Sequence, residues 1–149
     1  MPCELSIREK VRRLIADAEL ICFPMGSFYS SIVANVLPDG VAEAIRANRC
    51  PKVYVPNMGV DPEQLGMSVA DCVETLIGYM RRGLSTDAPA PELLDCVIVD
   101  SKSGAYAGPL DLERIGGLGV GIVDTDLTGG SAGGRIDAGR LISVLLSLC

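Results

Sequence analysis

Four short, largely apolar runs divide this chain: Leu20 to Phe23, Lys52 to Val55, Cys96 to Val99 and Val120 to Val123. A strand with one wet face alternates apolar and polar residues. These runs do not alternate, so each is expected to be covered on both faces. Helical periodicity precedes the first run, separates the first three and follows the last. Val11, Leu14, Ile15 and Ala18 recur behind Ser6, which has Glu9 three residues on and is placed to cap a first helix. Val41, Ala42, Ala44 and Ile45 form the stripe of a helix over Gly40 to Asn48. Ser68 to Arg81 carries Val69, Cys72, Val73, Leu76, Ile77 and Met80 on one side, with a serine cap, paired arginines in its last turn and Gly83 beyond. Asp137 to Leu148 closes the chain, with Leu141, Ile142, Val144, Leu145 and Leu148 turned inward. Leu84 to Glu92 reads as a connecting loop, and Gly129 to Gly134 as a solvated turn. The pattern defines an α/β class: a three-layer Rossmann-like domain with a mainly parallel sheet flanked by helices. With 149 residues, 48% of them hydrophobic, residues 1–149 suit one domain with a sizeable core.

Charge and cysteine usage narrow the function. A formal charge of -6, with both signs interspersed, argues against a nucleic-acid partner, which would call for a basic face. The basic cluster from Arg8 to Arg13 reads as the solvated side of an amphipathic helix. The apolar stretch Leu141 to Cys149 falls well short of the roughly 20 residues needed to cross a bilayer, and the amino terminus is charged within a few residues, so neither a membrane span nor secretion is expected. Six cysteines (Cys3, Cys22, Cys50, Cys72, Cys96 and Cys149) contain no C-x-x-C pair, and no histidine completes a mixed zinc site. Cys22 and Cys96 sit inside strand runs, where a reduced thiol behaves as a small apolar side chain. A cytoplasmic location is expected.

The segment Glu19 to Val41, ELICFPMGSFYSSIVANVLPDGV, is the richest in chemistry. Its apolar run stops at Pro24, passes through Met25-Gly26-Ser27 and becomes hydroxyl-rich at Tyr29-Ser30-Ser31. A strand thus delivers a small-residue loop to a helix start. In parallel sheets that junction lies at the carboxyl edge, where ligands bind and free N–H groups favour anions. Gly26 would let the backbone approach a phosphate, and Ser27, Ser30 and Ser31 would donate hydrogen bonds; an ordinary strand-to-helix turn is the competing reading. Tyr29 is either a rim contact or a packing residue, Asn35 a ligand contact or a helix bridge, and Asn57 a contact at the same edge or a turn residue. Asp71, in the first turn of a helix, is either a metal ligand or a carboxylate favourable to the dipole. Asp100, Asp124 and Asp126 end strands and read as solvated carboxylates, a cation contact by one of them being the competing reading.

Gly26-Ser27-Phe28-Tyr29-Ser30-Ser31-Ile32, then Asn35-Val36-Leu37 and Gly40-Val41-Ala42-Glu43-Ala44-Ile45-Arg46, resemble the G-P-G-S-L-Y-T-S-I-x-P-N-L-L-x-x-G-I-x-E-A-I motif of the 2-phospho-L-lactate transferase-like superfamily, which includes bacterial gluconeogenesis factor proteins. The likeness continues through Pro51 to Asn57, Ser68 to Asp71 and Asp95 to Val99, and on to the closing helix, covering roughly Ala16 to the carboxyl terminus. Pro24-Met25 stands where the family has Gly-Pro, Cys72 where it usually has His, and Val60 to Gln64 where it has T-Q-x-G-E. Only the carboxyl-terminal half of that family is matched. Its amino-terminal half supplies a first strand and a G-G-T-G loop that this chain does not contain.

The resemblance implies a nucleotide- or phosphosugar-binding protein, with transferase ancestry or a regulatory role in carbon metabolism. Its pocket would take a nucleoside diphosphate or nucleotide-sugar, contacted by Gly26, Ser27, Tyr29, Ser30, Ser31, Asn35 and Asn57, with Mg2+ as cofactor and Asp71 as its ligand. Two further readings stand beside it: an active phospholactyl-type transferase completed by a missing amino-terminal half, and a non-catalytic oligomeric scaffold. Under all three, exposed sheet edges predict association, as a homo-oligomer or with a partner half.

Overall fold

The computed structural model describes residues 6–131 and 133–149; Cys3 and Ala132 lie outside them. In chain order the elements are α1 (Glu9–Ala16), β1 (Ile21–Phe23), a π-helical turn (Phe28–Val33) running into α2 (Ala34–Val36), α3 (Val41–Ala47), β2 (Lys52–Tyr54), α4 (Val69–Arg82), β3 (Cys96–Val99), α5 (Leu112–Gly117), β4 (Gly121–Asp124) and α6 (Ala138–Leu146). Short 3-10 turns occupy Pro62–Gln64 and Ala90–Glu92. The four strands form one parallel sheet in the order β1-β2-β3-β4.

Register sorts the strand residues between two layers. Cys22 lies opposite Val53, which lies opposite Cys96, and Val97 lies opposite Ile122. Successive side chains take opposite faces. Phe23, Tyr54, Val97 and Val99 therefore meet Ile32, Ile45, Leu76 and Ile115 from the connecting helices in the larger core. Val53, Val55 and Ile98 point the other way and meet Leu127 and Leu141, with Val144, Leu145 and Leu148 packed around them. All three strand-to-strand connections thus cover one face, while α6 alone among the described helices covers the second. The three-layer α/β architecture anticipated from the apolar runs is present.

Local chemistry explains where α4 begins. Ser68 Oγ accepts the Asp71 N–H at 3.0 Å and the Asp71 carboxylate accepts the Ser68 N–H at 2.8 Å, a reciprocal cap. Arg81 and Arg82 occupy its last turn, where cations oppose the helix dipole. A Cβ on Gly83 would lie 3.3 Å from Ala42 Cβ, so the small residue here lets α3 approach the end of α4.

Two expectations need correction, and one element was not anticipated. Ser6 does not cap α1: that helix follows Arg8 in extended conformation with no side-chain cap, while Ser6 bridges to Asp39 and the Ile7 N–H donates to Asp39 O at 3.0 Å. A backbone bridge has taken the chain ahead of the helix. β4 starts one residue later than its apolar run and is not covered on both faces, because it is an edge strand; Gly121 and Ile122 are exposed. Finally, α5 had no helical periodicity to announce it. It has six residues, two of them glycine, and the burial of Ile115 holds it in place.

Ser68→Ala removes one half of the cap on α4 and is expected to cost about 1 kcal/mol. Leu76→Ala, at a fully buried position, is expected to cost about 2–5 kcal/mol. Urea unfolding of both variants checks the ranking.

A candidate anion-binding edge

β1 ends at Phe23, and the chain turns through Pro24 to Ser27 into the π-helical turn. Phe28 fixes that turn: its side chain is fully buried, edge-on to Tyr54 with ring centroids 6.5 Å apart. Its neighbours then face outward, so Ser27, Tyr29, Ser30 and Ser31 are all exposed.

The first N–H groups of the turn are held by the chain's own carboxylates. The Phe28 N–H donates to Asp61 Oδ2 at 2.9 Å, and the Tyr29 and Ser30 N–H groups donate to Glu63 Oε2 at 2.6 and 3.0 Å. Ser30 Oγ donates to Glu63 Oε1 at 2.8 Å. Asp61 is buried and also accepts the Glu63 N–H at 3.0 Å, capping the 3-10 turn that begins at Pro62. Asn57 Nδ2 donates to Gly26 O at 2.7 Å. The loop after β2 thus braces the loop after β1.

This bracing sorts the residues proposed from sequence. Gly26, Ser27, Tyr29, Ser30, Ser31 and Asn57 come together at the carboxyl edge of β1 and β2. Ser30 is committed to Glu63 and Asn57 to Gly26, both as braces. Asn35 Nδ2 donates one turn back to Ser31 O at 2.5 Å, a bridge within the helix. The Tyr29 ring is 40% exposed and forms the rim, its hydroxyl 3.9 Å from Met67 Sδ. Among the described residues, no internal hydrogen bond engages the Ser27 or Ser31 hydroxyl. A Cβ on Gly26 would meet only Ser31 Cβ at 3.5 Å and Ile32 Cδ1 at 3.9 Å, ordinary contacts, so internal packing does not demand glycine there. The Ser27 and Ser31 hydroxyls are left exposed without an internal partner, next to Gly26, whose carbonyl is held by Asn57.

Asp61 and Glu63 were not among the candidates read from sequence. The Asp-Pro pair at 61–62 was the available signal, since Asp before Pro commonly starts a short helical turn. Asp71 has other partners: its carboxylate caps α4 and pairs with Arg114 at 2.9 Å. Arg114 is also bound by Glu74 at 2.6 Å, and these carboxylates raise its pKa. Among the described residues no three His, Cys, Asp or Glu side chains converge to hold a cation. The strand-end carboxylates serve the loops instead. Asp100 accepts the Ser103 and Leu127 N–H groups at 2.8 and 3.0 Å, Asp124 accepts from Ser101, and Asp126 pairs with Arg140 at 2.8 Å. Burial pushes the Asp100 carboxyl up, but the donated backbone N–H groups outweigh it and leave the pKa below the usual range.

Cys22, Cys50, Cys72, Cys96 and Cys149 are free thiols. Burial pushes Cys22 and Cys72 up to about 11, so both stay protonated and act as packing groups. No helix of the described residues is long and apolar enough to cross a membrane.

Glu63 is held below the ordinary value of 4.5, first by the Ser30 backbone N–H, then by the Ser30 hydroxyl and the Tyr29 N–H. A depressed folded-state pKa means that its contribution is present at neutral pH and lost as the pH falls through the folded value. In an amide-resolved NMR titration, Tyr29 and Ser30 are expected to shift with a midpoint below 4.5. Glu63→Ala is expected to abolish that titration and speed exchange of those two amides, while the Phe28 amide, held by Asp61, keeps its protection.

A family model described as 2-phospho-L-lactate transferase CofD matches residues 2–128. A gluconeogenesis-factor relative from Thermotoga maritima is 36% identical over 112 residues, 71% of this chain and 35% of that protein. The gluconeogenesis factor of Halalkalibacterium halodurans is 28% identical over 113 residues, 73% of this chain and 35% of that protein. The crystal structure of protein BH3568 from Bacillus halodurans superposes with a TM-score of 0.78 at 21% identity, covering 98% of this chain and 49% of the other. This chain therefore spans at most about half the length of these proteins.

Proposed function

This chain belongs to the 2-phospho-L-lactate transferase CofD family, and we propose that it binds a nucleoside diphosphate or phosphosugar at the carboxyl edge of β1. The observation that carries this reading is the bracing of the turn by Asp61 and Glu63. Rigid support behind Phe28 to Ser30 leaves the Ser27 and Ser31 hydroxyls presented outward with no internal partner, beside Gly26, whose carbonyl is held by Asn57. Glycine at position 26 suits a ligand that approaches the backbone closely, and two free hydroxyls suit phosphate oxygens. Tyr29 forms the rim, and Ser30, Asn35 and Asn57 position the loop. Magnesium enters only as a counter-ion carried with the diphosphate, because Asp61, Glu63 and Asp71 are already engaged. The reduced thiols suit a cytoplasmic setting.

A diphosphate pocket needs an opposite wall. The free edge of β1 is where further strands would bring one, from the same polypeptide, a partner chain or a second copy. Phospholactyl-type transfer belongs to such a completed site, and turnover with a deazaflavin alcohol acceptor is its direct assay. A purely structural, oligomeric role is the second reading, favoured by the exposure of Val11 (40%) and Leu14 (64%) on α1, a helix with no buried residue.

Thermal denaturation with GDP and with UDP-sugars, each with and without magnesium, tests the binding reading. A specific ligand at about a hundred times its dissociation constant is expected to raise the midpoint by about 5 °C or more. No shift with any nucleotide sinks it. Gly26→Ala is expected to leave stability within about 0.5 kcal/mol while shrinking the nucleotide shift. Sedimentation separates the second reading: a clean monomer at all concentrations removes the scaffold.

A further inference from the structure

The opposite edge of the sheet holds a second set of groups without tasks. A cavity of about 580 Å³ lies where β2 begins, walled by α3, the 48–52 connection and the segment after α4. Its size is that of a small-metabolite site. Lys52 lines it and is only 4% exposed. The Lys52 ammonium has a single acceptor, Cys50 O at 3.4 Å, and among the described residues no carboxylate lies within ion-pair distance. A buried ammonium in that position is costly unless an anion joins it. Glu43 lines the same cavity, and its Oε2 is buried with no hydrogen-bond partner.

Neither group is paired by the other charges on the wall. Arg46 is taken by Glu92 at 2.6 Å and by Thr86 at 2.8 Å. Asp95 accepts the Lys52 backbone N–H at 2.8 Å, which fixes the start of β2 rather than the ammonium. Arg49, also on the cavity wall, makes no ion pair or side-chain hydrogen bond among the described residues. Lys52 and Arg49 thus face this space without an ion pair, together with the unpartnered Glu43 oxygen; the Asp95 carboxylate also lines it.

We propose that this cavity is a binding site for a small organic anion that also carries a hydrogen-bond donor: its carboxylate or phosphate pairs with Lys52 and Arg49, and its ammonium or hydroxyl donates to Glu43. The two sources of the anionic group share this chemistry. The site lies at the amino edge of the strands, away from Gly26 to Ser31, and does not depend on the nucleotide reading.

Amide-resolved NMR titrations of the 149-residue chain test it with three donor-bearing probes, L-alanine, D-glycerate and glycerol 3-phosphate, and two anions without such a donor, acetate and sulfate. At least one donor-bearing probe is expected to shift amides over residues 43–52 and 84–85 saturably, and the responding probe distinguishes carboxylate from phosphate. Lys52→Met, which keeps the apolar stem, is expected to weaken binding about tenfold or more. Arg49→Gln, at an exposed position, gives the same test if the buried substitution disturbs folding. Glu43→Gln is expected to weaken the donor-bearing probe but not acetate. No saturable shift from any probe overturns the site. So does binding unchanged in both cation variants, and acetate or sulfate binding as tightly as the donor-bearing probes removes the role of Glu43.

Discussion

Two carboxylates, Asp61 and Glu63, hold three consecutive backbone N–H groups just past β1, and the carboxyl edge takes its shape from that contact. Charge-assisted hydrogen bonds of this kind are short and directional. Here they also join two loops more than thirty residues apart in the chain. β1 itself has only three residues, too few to position a loop by strand pairing alone. The buried ring of Phe28 sets the depth of the turn, and the carboxylates set its orientation. What faces outward is therefore decided from beneath.

The sheet has one well-covered face and one thinly covered face, and that asymmetry follows from strand order. Consecutive parallel strands with all their connections on one side place α2 to α5 in the larger core. The second face depends on α6 and on Leu127 beneath it. Tyr54, Val97 and Val99 carry the first layer, while Val53, Val55 and Ile98 carry the second, so β2 and β3 are the strands that both layers share. β1 and β4 remain the edges of the sheet.

The two ends of these strands carry different chemistry. At the carboxyl edge, backbone and hydroxyl groups dominate and the charges are spent on bracing. At the amino edge, Lys52, Arg49 and Glu43 line a cavity with their charges uncommitted. A site made of neutral donors recognises an anion by directed hydrogen bonds, while one made of separated charges selects a ligand with matching ends. The distinction lies in the packing: Asp61 and Glu63 reach the N–H groups above β1, but no carboxylate among the described residues reaches the Lys52 ammonium.

Much of the fold was legible in local pattern. The four apolar runs, the stripe from Val69 to Met80 and the serine cap at Ser68 each rest on contacts within a few residues, and each appears in the structure within a residue or two. The family, too, was legible in the motif from Gly26 to Arg46. Other features were not, because they depend on partners distant in the chain. Ser6 has the spacing of a cap, yet a bridge to Asp39 claims its backbone. Val120 to Val123 has the composition of a central strand, yet its place at the edge of the sheet exposes it. Ser30 reads as a ligand donor until Glu63 is brought beside it. Sequence alone determined the α/β class, the strands and the loop that marks the carboxyl edge, since periodicity and capping are short-range. Only tertiary structure decided which donors of that loop are free and where unpaired charges collect, because a hydrogen bond or ion pair belongs to whichever groups the fold brings together.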